Sequence, residues 1–236
     1  MVAAEGLVID WAQMPTYNTV MSVAVGAGLI LLVMLARELL RAPGKIVVEG
    51  WSLAFGVLGT ILTATGLHMT LTWPLAAGGF PFDNIIFGET SLAFGVLLLA
   101  AAFYLWTRGR AALERADATE HLQAVARPVS VFVLGMGLGL VAIAIAGVTY
   151  QLFAAPPEEP ISGAFAAYPL VEAIFMSGLI ALVGVGAILF PFAVRSGRRV
   201  VRVVIGWAWG LSGVAFLLFG AMNFFTHIGL IVNTMG

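Results

Sequence analysis

The sequence predicts an all-α fold, a six-helix transmembrane bundle with both termini outside, and three observations carry it. Of 236 residues, 61% are hydrophobic and 10% are charged, against about a quarter charged in soluble domains. Six runs are long enough to cross a hydrocarbon core, which takes about 20 apolar residues. All 11 Lys and Arg residues fall on one side of the threading that those runs imply. With a mean hydropathy of +1.05, a soluble core could not hide the apolar surface, so soluble enzymes and disordered chains are excluded. Eleven basic against 12 acidic residues leave no basic field for nucleic acid. Cysteine is absent, which removes disulfides, thiolate nucleophiles and Cys-ligated metals.

Taken in order, the first span is residues 17–40. The segment before it carries Glu5 and Asp10 and no basic residue, unlike the basic start of a signal peptide, so this span is expected to stay as an anchor. Spans two to six follow at 47–73, 85–107, 128–153, 168–194 and 203–232. Arg37, Arg41 and Lys45 lie between spans one and two. Arg108, Arg110, Arg115 and Arg127 lie between three and four, and Arg195, Arg198, Arg199 and Arg202 between five and six. Five acids share that side and seven lie opposite, giving about +6 on one face and −7 on the other. The positive-inside rule then puts three basic loops in the cytoplasm of a plasma-membrane protein. Trp11, Tyr17, Trp73, Tyr150 and Tyr168 mark the outer interface, and Trp51, Tyr104, Trp106, Trp207 and Trp209 the inner one, where amphipathic rings settle.

Smaller features refine this thread. Asp117-Ala-Thr-Glu120 reads as a capping box opening a short loop helix, with Pro128 in the first turn of span four. Span six is about 45 Å long as a helix, against a core of about 30 Å. A bend near Asn223 or Gly229 that turns His227 inward is therefore expected. The outer loops, 74–84 and 154–169, are apolar enough to form a lid. The whole chain, residues 1–236, reads as one integral membrane domain.

An internal repeat is suggested by Gly56/Gly66, Gly137/Gly147 and Gly210/Gly220, each pair ten residues apart on the spans that run outward. Glu89 and Glu172 each stand six residues before a glycine, Gly95 and Gly178. Three tandem helical hairpins with pseudo-threefold symmetry, each closed by a basic turn, are the expected architecture. Gly135/Gly139 and Gly206/Gly210, at GxxxG spacing, are expected to pack helices closely.

Ionisable groups inside a span are costly and point to function. At about 1.5 Å per residue, His68 lies roughly 25 Å beyond Trp51, and Glu89 roughly 28 Å from Arg108. Glu172, Asn223 and His227 reach a similar level. His68, Glu89, Glu172 and His227 are therefore expected to converge in one pocket below the outer loops, with Asn223 beside them. Two imidazoles and two carboxylates suit a divalent metal, and His68 with His227 could ligate haem b from opposite sides. Without a cation, His–Glu pairs that respond to outside pH are expected. Ser177-Gly178 with His227 lacks the Gly-x-Ser-Gly context of a membrane serine protease, because Phe175 replaces its first glycine.

Three segments, Gly66-Leu-His68-Met69, Gly88-Glu89-Thr90 and Asn223-Phe-Phe-Thr-His227, resemble a family of uncharacterised multi-pass membrane proteins of actinobacteria and archaea. That resemblance implies a membrane protein and no particular activity. Three function classes stay open: an accessory subunit packing against other membrane subunits or a second copy, a metal- or haem-bearing redox protein, and a proton- or cation-coupled transporter.

Overall fold

A computed structural model describes residues 9–72 and 80–235. Among these there is no strand, and six helices are long and apolar enough to cross a membrane. They are α1 Asn18–Arg41, α2 Val48–Leu71, α3 Asn84–Leu113, α4 Ala118–Thr149, α5 Pro169–Ser196 and α6 Arg199–Thr234. The protein is an all-helical membrane protein whose outer surface meets lipid. Large side chains such as Leu53, Val131, Ile145 and Leu218 stand 63–65% exposed on these helices. Glu5, Trp73 and the 74–79 part of the first outer loop lie outside the described residues.

Local chemistry sets the helix ends. Ala42 precedes Pro43, which disfavours helical backbone, and α1 stops there. Pro169 opens α5, where its missing N–H costs nothing, and Gly197 closes it at φ +58°. α3 carries a π-turn at each end, Asn84–Glu89 and Leu105–Gly109, around an α-helical Thr90–Tyr104.

Two local expectations are overturned. Asp117 makes no capping hydrogen bond and instead accepts from Arg115 at 2.8 and 3.0 Å. The loop helix therefore runs without interruption into α4, with Pro128 inside it. α6 is likewise unbroken over 36 residues, about 54 Å. It does not bend near Asn223 or Gly229, and two contacts clothe its C-terminal end. Trp11 Nε1 donates to Thr234 Oγ1 at 3.0 Å, and Asn233 donates to the carbonyl of Glu158 at 2.7 Å.

The helices pack in three close pairs, α2 with α3, α4 with α5, and α6 with α1. Each pair meets at glycine. A Cβ on Gly59 would lie 2.8 Å from Leu99 N and 2.9 Å from Gly95 O. On Gly137 it would lie 2.8 Å from Ile188 N and 2.9 Å from Gly184 O, and on Gly213 3.0 Å from Gly26 O and from Ile30. In all three pairs, a glycine of the first helix sits against a glycine of the second and the residue four further on.

This pairing corrects two details of the expected repeat. The tightly packed pairs α2–α3 and α4–α5 are joined by outer loops rather than basic turns, and the two ends of the chain make the third pair. The registers also shift: Gly137 matches Gly59, not Gly56, and Gly184 matches Gly95, where Gly178 was expected. Gly135, Gly139, Gly178 and Gly210 have nothing within 4 Å of a built Cβ, so the two GxxxG steps do not join helices within the chain.

In lipid, helix association rests on close van der Waals contact and interhelical hydrogen bonds. Phe55, Leu62, Met69 and Leu98 are at most 1% exposed in the α1–α2–α3 core. Ser52 donates to Ala102 O at 2.8 Å, Ser212 to Leu179 O at 3.2 Å and Ser22 to Phe216 O at 3.0 Å. These bonds join α2 to α3, α6 to α5 and α1 to α6. Between α3 and α4 the described residues show one such bond, between the Tyr104 hydroxyl and His121 Nε2 at 3.3 Å.

Candidate functional site

At the acidic face the expected site residues divide. The loop between α4 and α5 folds over the ends of α5 and α6. Glu172, in the first turn of α5, accepts from the backbone N–H of Ala155 at 2.7 Å. Gly229 of α6 receives Pro160, whose ring occupies the space a Cβ would need. Ile161, next in the chain, is held at φ +69°, a strained conformation for a β-branched residue. The turn aims Glu159 at α6, where its Oε1 lies 3.9 Å from Nε2 of His227. Burial raises the Glu159 pKa above the ordinary carboxylate value; the Thr226 hydroxyl opposes that rise and the nearby Glu172 carboxylate adds to it. His227 and Glu172 thus share one cluster with Glu159, which the sequence reasoning did not single out.

His68 and Glu89 do not join it. His68 Nδ1 pairs with the Tyr17 hydroxyl at 2.5 Å, ring edge against ring, at the junction of α1 and α2. Both His68 and Glu89 are exposed. Asn223 lines the central cavity instead. Among the described residues, no three His, Asp or Glu side chains are grouped as a metal site. The depth expected for these groups follows from counting along each helix. The face each helix turns inward depends on the glycine register. Gly95 aligns with Gly184, which makes Asp83 the counterpart of Glu172. Glu89 then corresponds to Gly178, on an open face. Asp83 is buried at the end of the first outer loop, and desolvation pushes its carboxyl up to about 7.

One large space between the helices was not foreseen. A cavity of about 1210 Å³ lies between the three helix pairs and is lined by every span except α2. Its lining residues run from Asn18 to Leu40 on α1, about 33 Å along the helix, close to the thickness of a hydrocarbon core. The walls are apolar, with Leu97, Met136, Ile180 and Phe216 among them. At the acidic end the lining includes half-buried polar residues: Asn18, Ser22, Thr90 and Asn223. At the basic end Leu40, Val125, Val129, Val203 and Trp207 line the cavity yet are 40–65% exposed: 48%, 40%, 44%, 47% and 65% in that order. The basic end of the cavity is therefore the one whose lining side chains are the more exposed. No Asp or Glu lines it.

A protein family described as "Protein of unknown function (DUF981)" matches residues 14–229. No curated protein matches the chain, and no solved structure does.

Proposed function

The chain belongs to the DUF981 family of proteins of unknown function, and we propose that it holds or carries an amphipathic, lipid-like molecule within the bilayer. The observation that carries this reading is the cavity. At about 1210 Å³ it exceeds the roughly 300–1,000 Å³ of ordinary small-molecule pockets. Its walls suit a hydrocarbon chain and offer a hydrated cation few ligands. A chain laid along it exchanges lipid neighbours for protein side chains, and specificity must then come from the polar residues at its ends. Among the transporter readings, this favours an amphiphile over a proton or metal ion as cargo.

We also infer that the basic face is cytoplasmic, because all 11 Lys and Arg residues lie there. The basic end of the cavity would then face the inner leaflet. Arg198→Cys, in this Cys-free chain, should be labelled by a membrane-impermeant maleimide only from the cytoplasmic side; labelling from outside in intact cells would reverse the orientation.

The test of function is direct. Purified protein should retain a co-purifying lipid by native mass spectrometry. Ala93→Phe, which places a ring in the middle of the cavity, should expel it while the protein stays folded. Retention of the same lipid by Ala93→Phe would remove the cavity from the argument. An accessory-subunit role draws on one observation of its own: Gly135 and Gly139 face outward with open space beside them, so another helix could approach α4 closely. A constant stoichiometric partner after mild-detergent purification, lost on Gly139→Leu, would establish it.

A further inference from the structure

We propose that Arg37, Arg199 and Arg202 form a headgroup site at the basic end of the cavity, and that the bound molecule is an anionic lipid whose phosphate they hold. This rests on the reading of the cavity as a lipid chamber and adds the class and orientation of its occupant. All three arginines line the same cavity as the apolar walls. Arg199 and Arg202 are three residues apart on α6, hence on one face, and Arg37 reaches the same space from α1, the helix paired with α6.

None of the three makes an ion pair among the described residues. The ion pairs on the basic side there are Arg110 with Glu49 and Arg115 with Asp117, both away from the cavity. Glu38, the neighbour of Arg37, is exposed and pairs with none of them. Three cations lining one end of a cavity that no Asp or Glu lines favour an anion between them. Guanidinium groups bind phosphate in a bidentate fork. Tyr104, Thr119 and Gln123 stand at the same end of the cavity and offer hydrogen bonds to the polar atoms around a phosphate. Basic pockets between transmembrane helices at the cytoplasmic side hold anionic headgroups in this way.

The chemistry recognised is a phosphate anion, and the continuity of the arginines with an apolar chamber assigns it to a lipid, not to free phosphate. A lipid seated this way enters from the inner leaflet, phosphate at the arginines and chains pointing toward Asn18 and Asn223.

The experiment titrates delipidated protein with dioleoyl phosphatidylglycerol and with dioleoyl phosphatidylcholine, which carry the same chains, and reads retained lipid by native mass spectrometry. Phosphatidylglycerol should bind at least tenfold tighter. Arg37→Gln, Arg199→Gln and Arg202→Gln should each cost about fivefold in phosphatidylglycerol affinity, and the triple variant about a hundredfold, with phosphatidylcholine, whose choline cation already balances its phosphate, losing far less. An unchanged circular-dichroism spectrum is the control for folding. Equal affinity for the two lipids in the native chain, or a triple variant that keeps the preference, overturns the headgroup site and leaves the lipid chamber standing. Displacement of phosphatidylglycerol by millimolar inorganic phosphate assigns the arginines to a free anion and overturns the lipid assignment. Failure of either lipid to bind, with Ala93→Phe indistinguishable from the native chain, defeats the chamber itself and the headgroup site with it.

Discussion

Replacing Gly59 or Gly137 with alanine should separate a helix pair, while the same change at Gly135 or Gly210 should not. At Gly59 the new methyl would sit 2.8 Å from Leu99 N and 2.9 Å from Gly95 O, and at Gly137 2.8 Å from Ile188 N and 2.9 Å from Gly184 O. Carbon makes comfortable contact at about 3.5–4.0 Å, so each pair of backbones must part by roughly 0.5–1 Å. A gap of that size forfeits a quarter to a half of the dispersion energy of every atom pair along the seam. Overpacking of this kind costs about 1–3 kcal/mol, and the gain from replacing a helical glycine with alanine returns at most about 1 kcal/mol. The expected net loss is about 1–2 kcal/mol for Gly59→Ala and for Gly137→Ala. Gly135 and Gly210 have nothing within 4 Å, so alanine there should be neutral or stabilise by up to about 1 kcal/mol. Denaturant titration in micelles, followed by circular dichroism, reads the difference. If Gly59→Ala and Gly135→Ala unfold at the same midpoint, glycine contact does not hold the pairs and the three-pair packing is refuted.

Two further outcomes concern the acidic face. The Asp83 carboxyl is raised from 3.8 to about 7 by burial, so the folded chain keeps its proton where the unfolded chain has lost it. The stabilisation is complete below about pH 3.8 and gone above about pH 7, worth up to roughly 4 kcal/mol at 1.4 kcal/mol per pH unit. Asp83→Asn should flatten melting temperature across pH 4–7 and raise it at pH 8; an unchanged pH profile would contradict the burial. Glu172→Ala removes the acceptor of the Ala155 N–H at 2.7 Å, a charged hydrogen bond worth about 1.5–3 kcal/mol. Protease cleavage within 154–165 should then quicken about tenfold with the helices intact; an unchanged cleavage rate would mean that this bond does not tie down the loop.

The sequence alone was enough for whatever depends on counting along the chain. Six apolar runs give six helices because backbone in lipid must bond within its own segment. Proline at 43 and 169 and glycine at 197 placed helix ends through their own backbone constraints. The distance of His68, Glu89, Glu172 and His227 along their helices is set by a fixed rise per residue. The tertiary structure decided which face each helix turns inward. A spanning helix is apolar all round, so its composition carries no stripe from which to read rotation. Nor did the sequence separate the glycines that meet another backbone, such as Gly59 and Gly184, from those that meet lipid, such as Gly135 and Gly178. That choice of register moved Glu89 away from Glu172, brought Glu159 to His227, joined α1 to α6 and left the cavity lined by Arg37, Arg199 and Arg202. A cavity is the space that several helices leave between them. No single stretch of chain encodes it, and it exists only once all the rotations are set.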